Sequence, residues 1–309
     1  MMDWPTYQFR AMGSHIQLWL DADPLHARPA FERVEAWFEK TEDQLSRFRP
    51  HSELCRLNDR PQEWVPVSPL MWRIVTTALS LAQATGGLFD PTILPALEAA
   101  GYTASFDEMH GAGTAPAGAL PAPGRWPQVQ VDPVWRAICL PAGVRLDLGG
   151  VAKGLVAQEA ARMLSEGGPA LVDAGGDLTA AQAPRGWPGW PVAVAAPAAV
   201  GEDEGDLFQL LLADGTLATS GSDYRRWQQG TQTAHHVIDP RTGSPATSDV
   251  VTATVLARDA AQAEGWATAA LVAGSDVAMD MLEERKVAAA LVCSDGRVRR
   301  TNAMEAIAI

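Results

Sequence analysis

Hydrophobic positions along the first third of the chain predict two helices and one strand. A strand is predicted around Ile16 to Leu20. A second helix is predicted from Ser68 to about Thr85, because Ser68-Pro69 is a start signal and two glycines follow its end. The first helix is predicted from apolar residues at helical spacing, namely Phe31, Val34, Trp37, Phe38 and Leu45.

The rest of the chain mixes strands with helices in no regular order. Residues 46–59 show no sustained period and predict a structured loop, and VRLDLGG at 144–150 predicts a strand before a helix over 152–168. Short β-type runs fill the last third, interrupted by a helix over 261–274 and ending in a hairpin around Asp295-Gly296. We therefore predict an α+β fold with mixed or antiparallel sheets and packed helices.

One stretch departs from this pattern. Residues 103–127 are rich in Ala, Gly and Pro, a composition that favours a flexible surface insert over core. No fixed-period repeat divides the chain, and its length suits one large domain or two closely packed ones.

Composition narrows the classes of function. The chain has 309 residues and a formal net charge of −13, which argues against nucleic acid as the main partner because phosphate backbones are held by clustered Lys and Arg. Three widely spaced cysteines favour neither a disulfide framework nor a zinc site. Without a secretory signal pattern or a long apolar run, we expect a cytoplasmic protein without membrane insertion.

The run from Asp147 to Gly154, DLGGVAKG, has the features of a phosphate site. Two glycines let the backbone approach a ligand closely, and the following helix start attracts an anion. Lys153 adds a cation and Asp147 an acceptor. An ordinary strand-to-helix turn explains the glycines equally well, and neither nucleotide-binding Gly-rich pattern, Walker A or GxGxxG, is present.

Three further places carry candidate chemistry. In HHVIDPRTGSP, neighbouring strand residues face opposite sides, so only one of His235 and His236 can face a given pocket as a general base. Glu264 and Thr268, one helical turn apart, can give two hard oxygen ligands to Mg²⁺. Taken alone, either histidine is better explained as a structural, hydrogen-bonded residue. Glu264 is better explained as a solvated carboxylate and Thr268 as a residue bonded back to its own helix. Met12 and Phe48 are, alone, more typical of core than of a ligand pocket.

Taken in order, eight such strings resemble the FAD:protein FMN transferases of the ApbE family. The resemblance spans nearly the whole chain apart from the Ala/Gly/Pro-rich insert, and it rests on the following matches: AMGS at 11–14, SRFRPHSELCRLN at 46–58, GLFDPT at 87–92, DLGGVAKG at 147–154, DAGGD at 173–177, ATSGSDYRRW at 218–227, HHVIDPRTG at 235–243 and AEGWATAAL at 263–271.

This resemblance implies a T-fold-related architecture, a single domain of two lobes over residues 1–309, with FAD in a cleft between the lobes. It implies Mg²⁺-dependent transfer of FMN from FAD to a Thr or Ser hydroxyl of a target flavoprotein, with release of AMP. By matching position, the metal ligands are the Gly150 carbonyl, Glu264 and Thr268, and His236 is the candidate base. The implied FAD contacts are Met12, Phe48, Leu88, Phe89, Asp90, Asp147, Lys153 and the backbone near Ile238.

Three departures from the family pattern leave alternatives open. Glu264 stands where the family usually has Asp, and its extra methylene moves the oxygen by about one bond length, which Mg²⁺ tolerates poorly. Leu155 replaces a usual aromatic residue. Many members are exported lipoproteins, whereas this chain shows no such signal. The same site also fits FAD hydrolysis to FMN and AMP, and Glu264 alone supports a non-catalytic FAD-binding protein.

Overall fold

The structure, a computed structural model, describes residues 4–106, 124–197, 205–229 and 232–309. Most of the predicted surface insert, residues 107–123, lies outside them. Besides a short 3-10 helix at Trp126–Gln128, the helices are α1 (Pro24–Leu45), α2 (Glu53–Asn58), α3 (Pro69–Ala84), α4 (Leu94–Ala99), α5 (Gly149–Ser165), α6 (Ala260–Ala273), α7 (Ser275–Glu284) and α8 (Asn302–Glu305).

Short strands make up the remaining regular structure. In chain order they are β1 (Thr6–Ala11), β2 (Ser14–Leu20), β3 (Trp64–Pro66), β4 (Gln130–Asp132), β5 (Ala137–Cys139), β6 (Ala170–Ala174), β7 (Leu178–Ala181), β8 (Trp190–Ala195), β9 (Asp206–Leu212), β10 (Gly215–Gly221), β11 (Arg226–Gln229), β12 (Gln232–His235), β13 (Ile238–Asp239), β14 (Ser244–Pro245), β15 (Val250–Ala257), β16 (Ala288–Cys293) and β17 (Val298–Arg300).

An eight-stranded antiparallel sheet is the frame of the molecule. Its order is β1-β2-β6-β7-β10-β15-β16-β17, and smaller antiparallel sheets are formed by β3-β5-β4, β8-β9, β11-β12 and β13-β14. Strands from distant parts of the chain are neighbours, for example β2 and β6, whose register pairs Ile16 with Ala174. The predicted α+β class with antiparallel sheets and packed helices is confirmed.

Strand β2 shows that both faces of the large sheet pack against other elements. Along β2, Ile16 and Leu18 point into the core that contains residues of α1, α3 and α5. Trp19, between Leu18 and Leu20, packs on the opposite face against the β8–β9 hairpin and the start of the chain. This alternation follows from the period of two in a strand.

The start of α3 shows how local chemistry sets the element boundaries. Ser68 caps α3 by accepting a hydrogen bond from the Met71 amide at 3.2 Å, and Pro69 occupies the first turn, where its missing N–H costs nothing. The Glu53 carboxylate accepts from both the amide and the hydroxyl of Ser68. The helix predicted from Ser68 to about Thr85 is confirmed.

Two predicted elements are wrong. The loop predicted over 46–59 contains α2, whose six residues are too few to show a period; Ser52 caps this helix through the Cys55 amide. The strand predicted at 144–150 is absent from this described stretch. The Asn58 side chain bonds both backbone groups of Leu146, at 2.8 and 3.0 Å, and so takes the hydrogen bonds that a neighbouring strand would make.

Within the ranges that the structure describes, none of the helices has the length and apolar character needed to cross a bilayer.

Candidate active site

Candidate residues gather around the start of α5, where three parts of the fold meet. These parts are the N-terminus of α5, the Gly-Gly turn between β6 and β7, and the inner face of α6. Leu148 precedes α5 without a side-chain cap, and Gly149 and Gly150 are exposed. The first turn of α5 is therefore open to a ligand, as the phosphate prediction requires.

Asp147 is ion-paired just before this helix. Its Oδ1 accepts a hydrogen bond from the Gly149 amide at 2.9 Å, and its Oδ2 lies 2.9 Å from Arg47 Nε. The Arg47 guanidinium lies over the rings of Phe48 and Tyr102, at 4.1 and 4.6 Å from their centroids. Asp147 thus connects Arg47 to the start of α5, and both of its carboxylate oxygens already have donors.

Phe89 and Asp90 lie beside the same turn. A Cβ on Gly150 would stand 3.1 Å from Phe89 Cε2, so the missing side chain lets the ring lie against the helix start. Asp90 is buried: its Oδ1 accepts from the amide and hydroxyl of Thr92, whereas its Oδ2 has no hydrogen-bond partner. Burial raises the pKa of Asp90 against the opposing effect of these bonds.

Lys153 forms a buried charge cluster with Asp177 and Glu264. Its Nζ bonds the Asp177 carboxylate and lies 3.4 Å from Glu264 Oε1, and all three side chains are at most 15% exposed. Burial acts to lower the pKa of Lys153, but the two carboxylates outweigh it and the pKa is raised. Lys153 is therefore held as a cation. Asp177 is itself fixed by the Thr219 amide at 2.9 Å.

Among the predicted metal ligands, Glu264 has a buried oxygen that a cation would suit. Glu264 Oε2 is buried and has no hydrogen-bond partner, although burial raises the pKa of Glu264 against the pull of Lys153. A Cβ on Gly154 would lie 2.7 Å from that oxygen, so the glycine makes room for it. One helical turn on, Thr268 Oγ1 lies 3.1 Å from Ser220 Oγ. One carboxylate with neutral oxygens suits Mg²⁺, which keeps several waters.

In the described part of the chain, no group of three or more His, Cys, Asp or Glu side chains is placed to hold a metal ion.

The two histidines have opposite surroundings. His235 is buried, with Nε2 2.9 Å from the Ala246 carbonyl and Nδ1 accepting from the Val237 amide at 3.3 Å. His236 hydrogen-bonds the Arg225 carbonyl, while its buried Nδ1 has no partner. Burial, then the charge of Arg225, lowers the pKa of His236 to about 3. His236 is thus a neutral ring with a free acceptor atom.

Three further predicted FAD contacts, Leu88, Ile238 and Met12, pack in or against hydrophobic clusters. The side chains of Leu88 and Ile238 pack in two separate hydrophobic clusters, so any contact at Ile238 would use its backbone, as predicted. Met12 is partly buried against the main core, with a φ of 52° in the tight turn between β1 and β2. The structure records no bond from these three residues to the charge cluster.

Three residues of the site were missed by the sequence reasoning. Arg47 and Asp177 hold Asp147 and Lys153 respectively, and Arg225 acts electrostatically on His236. Each lies inside a matched string, SRFRPHSELCRLN, DAGGD or ATSGSDYRRW, so the signal was present. The partner of each side chain was not visible, because it depends on tertiary packing and not on sequence spacing.

Comparison with known proteins identifies the family. A sequence profile of the ApbE family matches residues 12–292. The chain belongs to the ApbE family. Its similarity to curated relatives covers most of both chains: it is 30% identical over 266 residues to the FAD:protein FMN transferase of Salmonella typhimurium, covering 83% of this chain and 75% of the relative. With that of Treponema pallidum it shares 28% over 307 residues, covering 90% and 80%.

Solved ApbE structures share the architecture. The ApbE protein of Thermotoga maritima superposes with a TM-score of 0.87 at 25% identity, covering 99% of both chains. The apo flavinyl transferase ApbE of Pseudomonas stutzeri gives 0.81 at 22%, covering 99% of this chain and 96% of that one, and the latter likeness concerns the fold alone. The predicted family, fold and enzyme class, a transferase, are confirmed.

Proposed function

We propose that this ApbE-family protein transfers FMN from FAD to a Thr or Ser hydroxyl of a target flavoprotein and releases AMP. The observation that carries this proposal is the unpartnered Nδ1 of His236. A buried acceptor atom without a donor fits a substrate hydroxyl, which supplies the missing hydrogen bond.

The proposed reaction balances without a further reactant. The acceptor oxygen forms a bond to the FMN phosphorus, and the bond from that phosphorus to the bridging oxygen breaks. AMP leaves with the bridging oxygen, and the hydroxyl proton passes to His236 Nδ1. A pKa of about 3 keeps the ring neutral before substrate arrives. The negative charge of a bound pyrophosphate then raises its pKa, because an anion favours the imidazolium.

Lys153 and the start of α5 are the proposed phosphate contacts. Lys153 is a buried cation whose two carboxylate partners keep it in place. The exposed Gly149-Gly150 backbone leaves room for pyrophosphate oxygens near the positive end of α5. Phe48, Phe89 and Met12 are proposed as walls of the flavin nucleotide pocket, and Leu88, Asp90, Asp147 and the Ile238 backbone complete the proposed FAD contacts.

Mg²⁺ is the proposed metal. The Gly150 carbonyl, Glu264 and Thr268 would hold it, since Glu264 offers a buried oxygen without a donor. When bound, the ion supplies positive charge that stabilises the charge developing on the pyrophosphate. A cytoplasmic location and one two-lobed domain over 1–309, with FAD in the cleft between the lobes, remain predictions.

The test is incubation with FAD, Mg²⁺ and an acceptor protein of one of the named transferases. Mass spectrometry is expected to find FMN on the acceptor, and chromatography an equal amount of AMP. AMP without an adduct would show hydrolysis instead, and FAD binding without AMP would show a binding protein. His236→Ala is expected to slow formation of the adduct by about 10²–10⁴, with His235→Ala as the matched control.

A further inference from the structure

Arg47 is a buried, tightly constrained cation outside the Lys153 cluster. Its side chain is 8% exposed, and its ring contacts with Phe48 and Tyr102 fix the plane of the guanidinium. Nη1 donates to the Tyr102 carbonyl at 2.9 Å, and Nε contacts Asp147 Oδ2. The guanidinium is thus held on its faces and at two of its three nitrogens.

The third nitrogen, Nη2, is buried and has no hydrogen-bond partner. On a guanidinium, Nε and Nη2 present their hydrogens along one edge, the edge that grips a carboxylate in a two-bond pair. Here Asp147 Oδ1, the oxygen that would complete such a pair, accepts from the Gly149 amide instead. Nη2, on the same guanidinium edge as the Nε that contacts Asp147, is left with a donor but no acceptor.

The acceptor that fits this place is anionic. The positive end of the 17-residue helix α5 starts at Gly149, and its first two residues are exposed glycines. Asp147 Oδ1 accepts from the Gly149 amide, and the N-cap residue Leu148 offers no side-chain acceptor to the rest of the first turn. A buried guanidinium N–H is costly to leave unpaired, and a phosphate oxygen satisfies both it and the helix terminus.

We infer that Arg47 is a specificity-determining residue that donates from Nη2 to a phosphate oxygen of the bound dinucleotide. The inference rests on the proposed FAD site. Arg47 then selects ligands that carry phosphate: it adds to the binding affinity of FAD and ADP, and adds nothing to that of flavins and nucleosides without phosphate.

The test compares Arg47→Met and Arg47→Lys with wild type by titration with FAD, ADP and riboflavin at fixed ionic strength. Arg47→Met is expected to raise the Kd of FAD and of ADP about tenfold and to change the Kd of riboflavin less than twofold. Arg47→Lys keeps the charge but lacks the planar fork, and is expected to show most of the same loss. If Arg47→Met does not fold, the Kd values of Arg47→Lys alone test whether Arg47 contacts the phosphate.

The matched control is Arg49→Met, two residues along, because Arg49 is 45% exposed and ion-paired to Glu42 and Asp43 on the surface. It is expected to bind all three ligands as wild type does. Equal losses for riboflavin and FAD, or no loss for ADP, would overturn the inference. Failure of the proposed function is distinguishable, since it appears as missing FMN adduct and AMP in wild type, whatever the binding ratios are.

Discussion

Gly154 and Glu264 fit together across the contact between α5 and α6. A Cβ built on Gly154 would lie 2.7 Å from Glu264 Oε2 and 2.8 Å from its carboxylate carbon. This is closer than atoms can stand, so any larger residue at position 154 must displace the carboxylate. A glycine in the middle of a helix is unfavourable by about 1 kcal/mol relative to alanine, so the contact rather than the helix explains it.

Gly154→Ala is therefore expected to weaken Mg²⁺ binding without lowering the stability of the fold. The alanine favours the helix, and the carboxylate is the end of a flexible side chain that can rotate away, so the melting temperature should change little. The Mg²⁺ concentration for half-maximal AMP release should rise at least about tenfold, because Mg²⁺ demands near-ideal ligand positions. A Mg²⁺ titration of AMP release measures this. An unchanged titration curve would remove Glu264 from the proposed metal site.

Glu264→Asp tests the departure from the usual residue of the family. The shorter side chain withdraws the carboxylate from Gly154 and restores the carboxylate that is usual in the family. We expect AMP release to persist at between about one tenth and ten times the wild-type rate. Glu264→Gln, the control, removes the charge and should lower the rate at least about a hundredfold. Absence of AMP release in wild type and Glu264→Asp alike would favour the binding-only alternative.

Lys153→Ala is expected to weaken FAD binding and to destabilise the fold. Without the cation, Asp177 and Glu264 remain buried near each other, and removing one partner of a buried pair costs about 3 kcal/mol. Urea denaturation checks the stability, and fluorescence titration of FAD checks the binding. Lys40→Ala, on the exposed face of α1, is the control. Equal FAD affinities in wild type and Lys153→Ala would contradict the phosphate assignment.

The two histidines should separate catalysis from stability. His236→Ala removes the free acceptor and should slow FMN transfer by about 10²–10⁴ while FAD binding is kept. His235→Ala instead loses the bond to the Ala246 carbonyl and should lower stability by about 1–3 kcal/mol with a smaller effect on turnover. Single-turnover transfer rates and melting curves measure both. The reverse pattern would mean that His235 faces the substrate.

Stability should also depend on pH through His236. Its pKa is about 3 in the folded protein and ordinarily 6.5, so below pH 6.5 the unfolded chain binds a proton that the folded one does not. The free energy of unfolding then falls as the pH falls. Between pH 7 and pH 5 wild type should lose about 1–2 kcal/mol more than His236→Gln. Urea denaturation of both proteins at the two pH values measures the difference, and parallel losses would mean that His236 protonates freely.

Elements whose signals are local were predictable from the sequence. Ser68-Pro69 shows the start of α3 because a cap and a proline act within one turn. The conformation of the segment at 144–150 was not predictable, since its backbone bonds to the side chain of Asn58, 88 residues away in the chain. A strand-like composition therefore says nothing about whether another strand is available.

The candidate site shows the same division between near and distant effects. The one-turn spacing of Glu264 and Thr268 on α6 and the opposite facing of His235 and His236 follow from helix and strand periods. The bond between Lys153 and Asp177, and the ion pair of Arg47 with Asp147, depend on how distant segments pack. No sequence period reveals these two pairs, because they form only when the distant segments pack together.

The charge cluster has a consequence for the order of folding. Lys153 and Glu264 are separated by 111 residues, and Asp177 belongs to a turn between two strands of the large sheet. Closing a loop of that length gains nothing until the intervening strands are aligned. We therefore expect the phosphate-binding end to be among the last parts to become native. Flavin capture would then mark a chain whose two halves have already docked, and nascent or truncated chains would leave the flavin pool untouched.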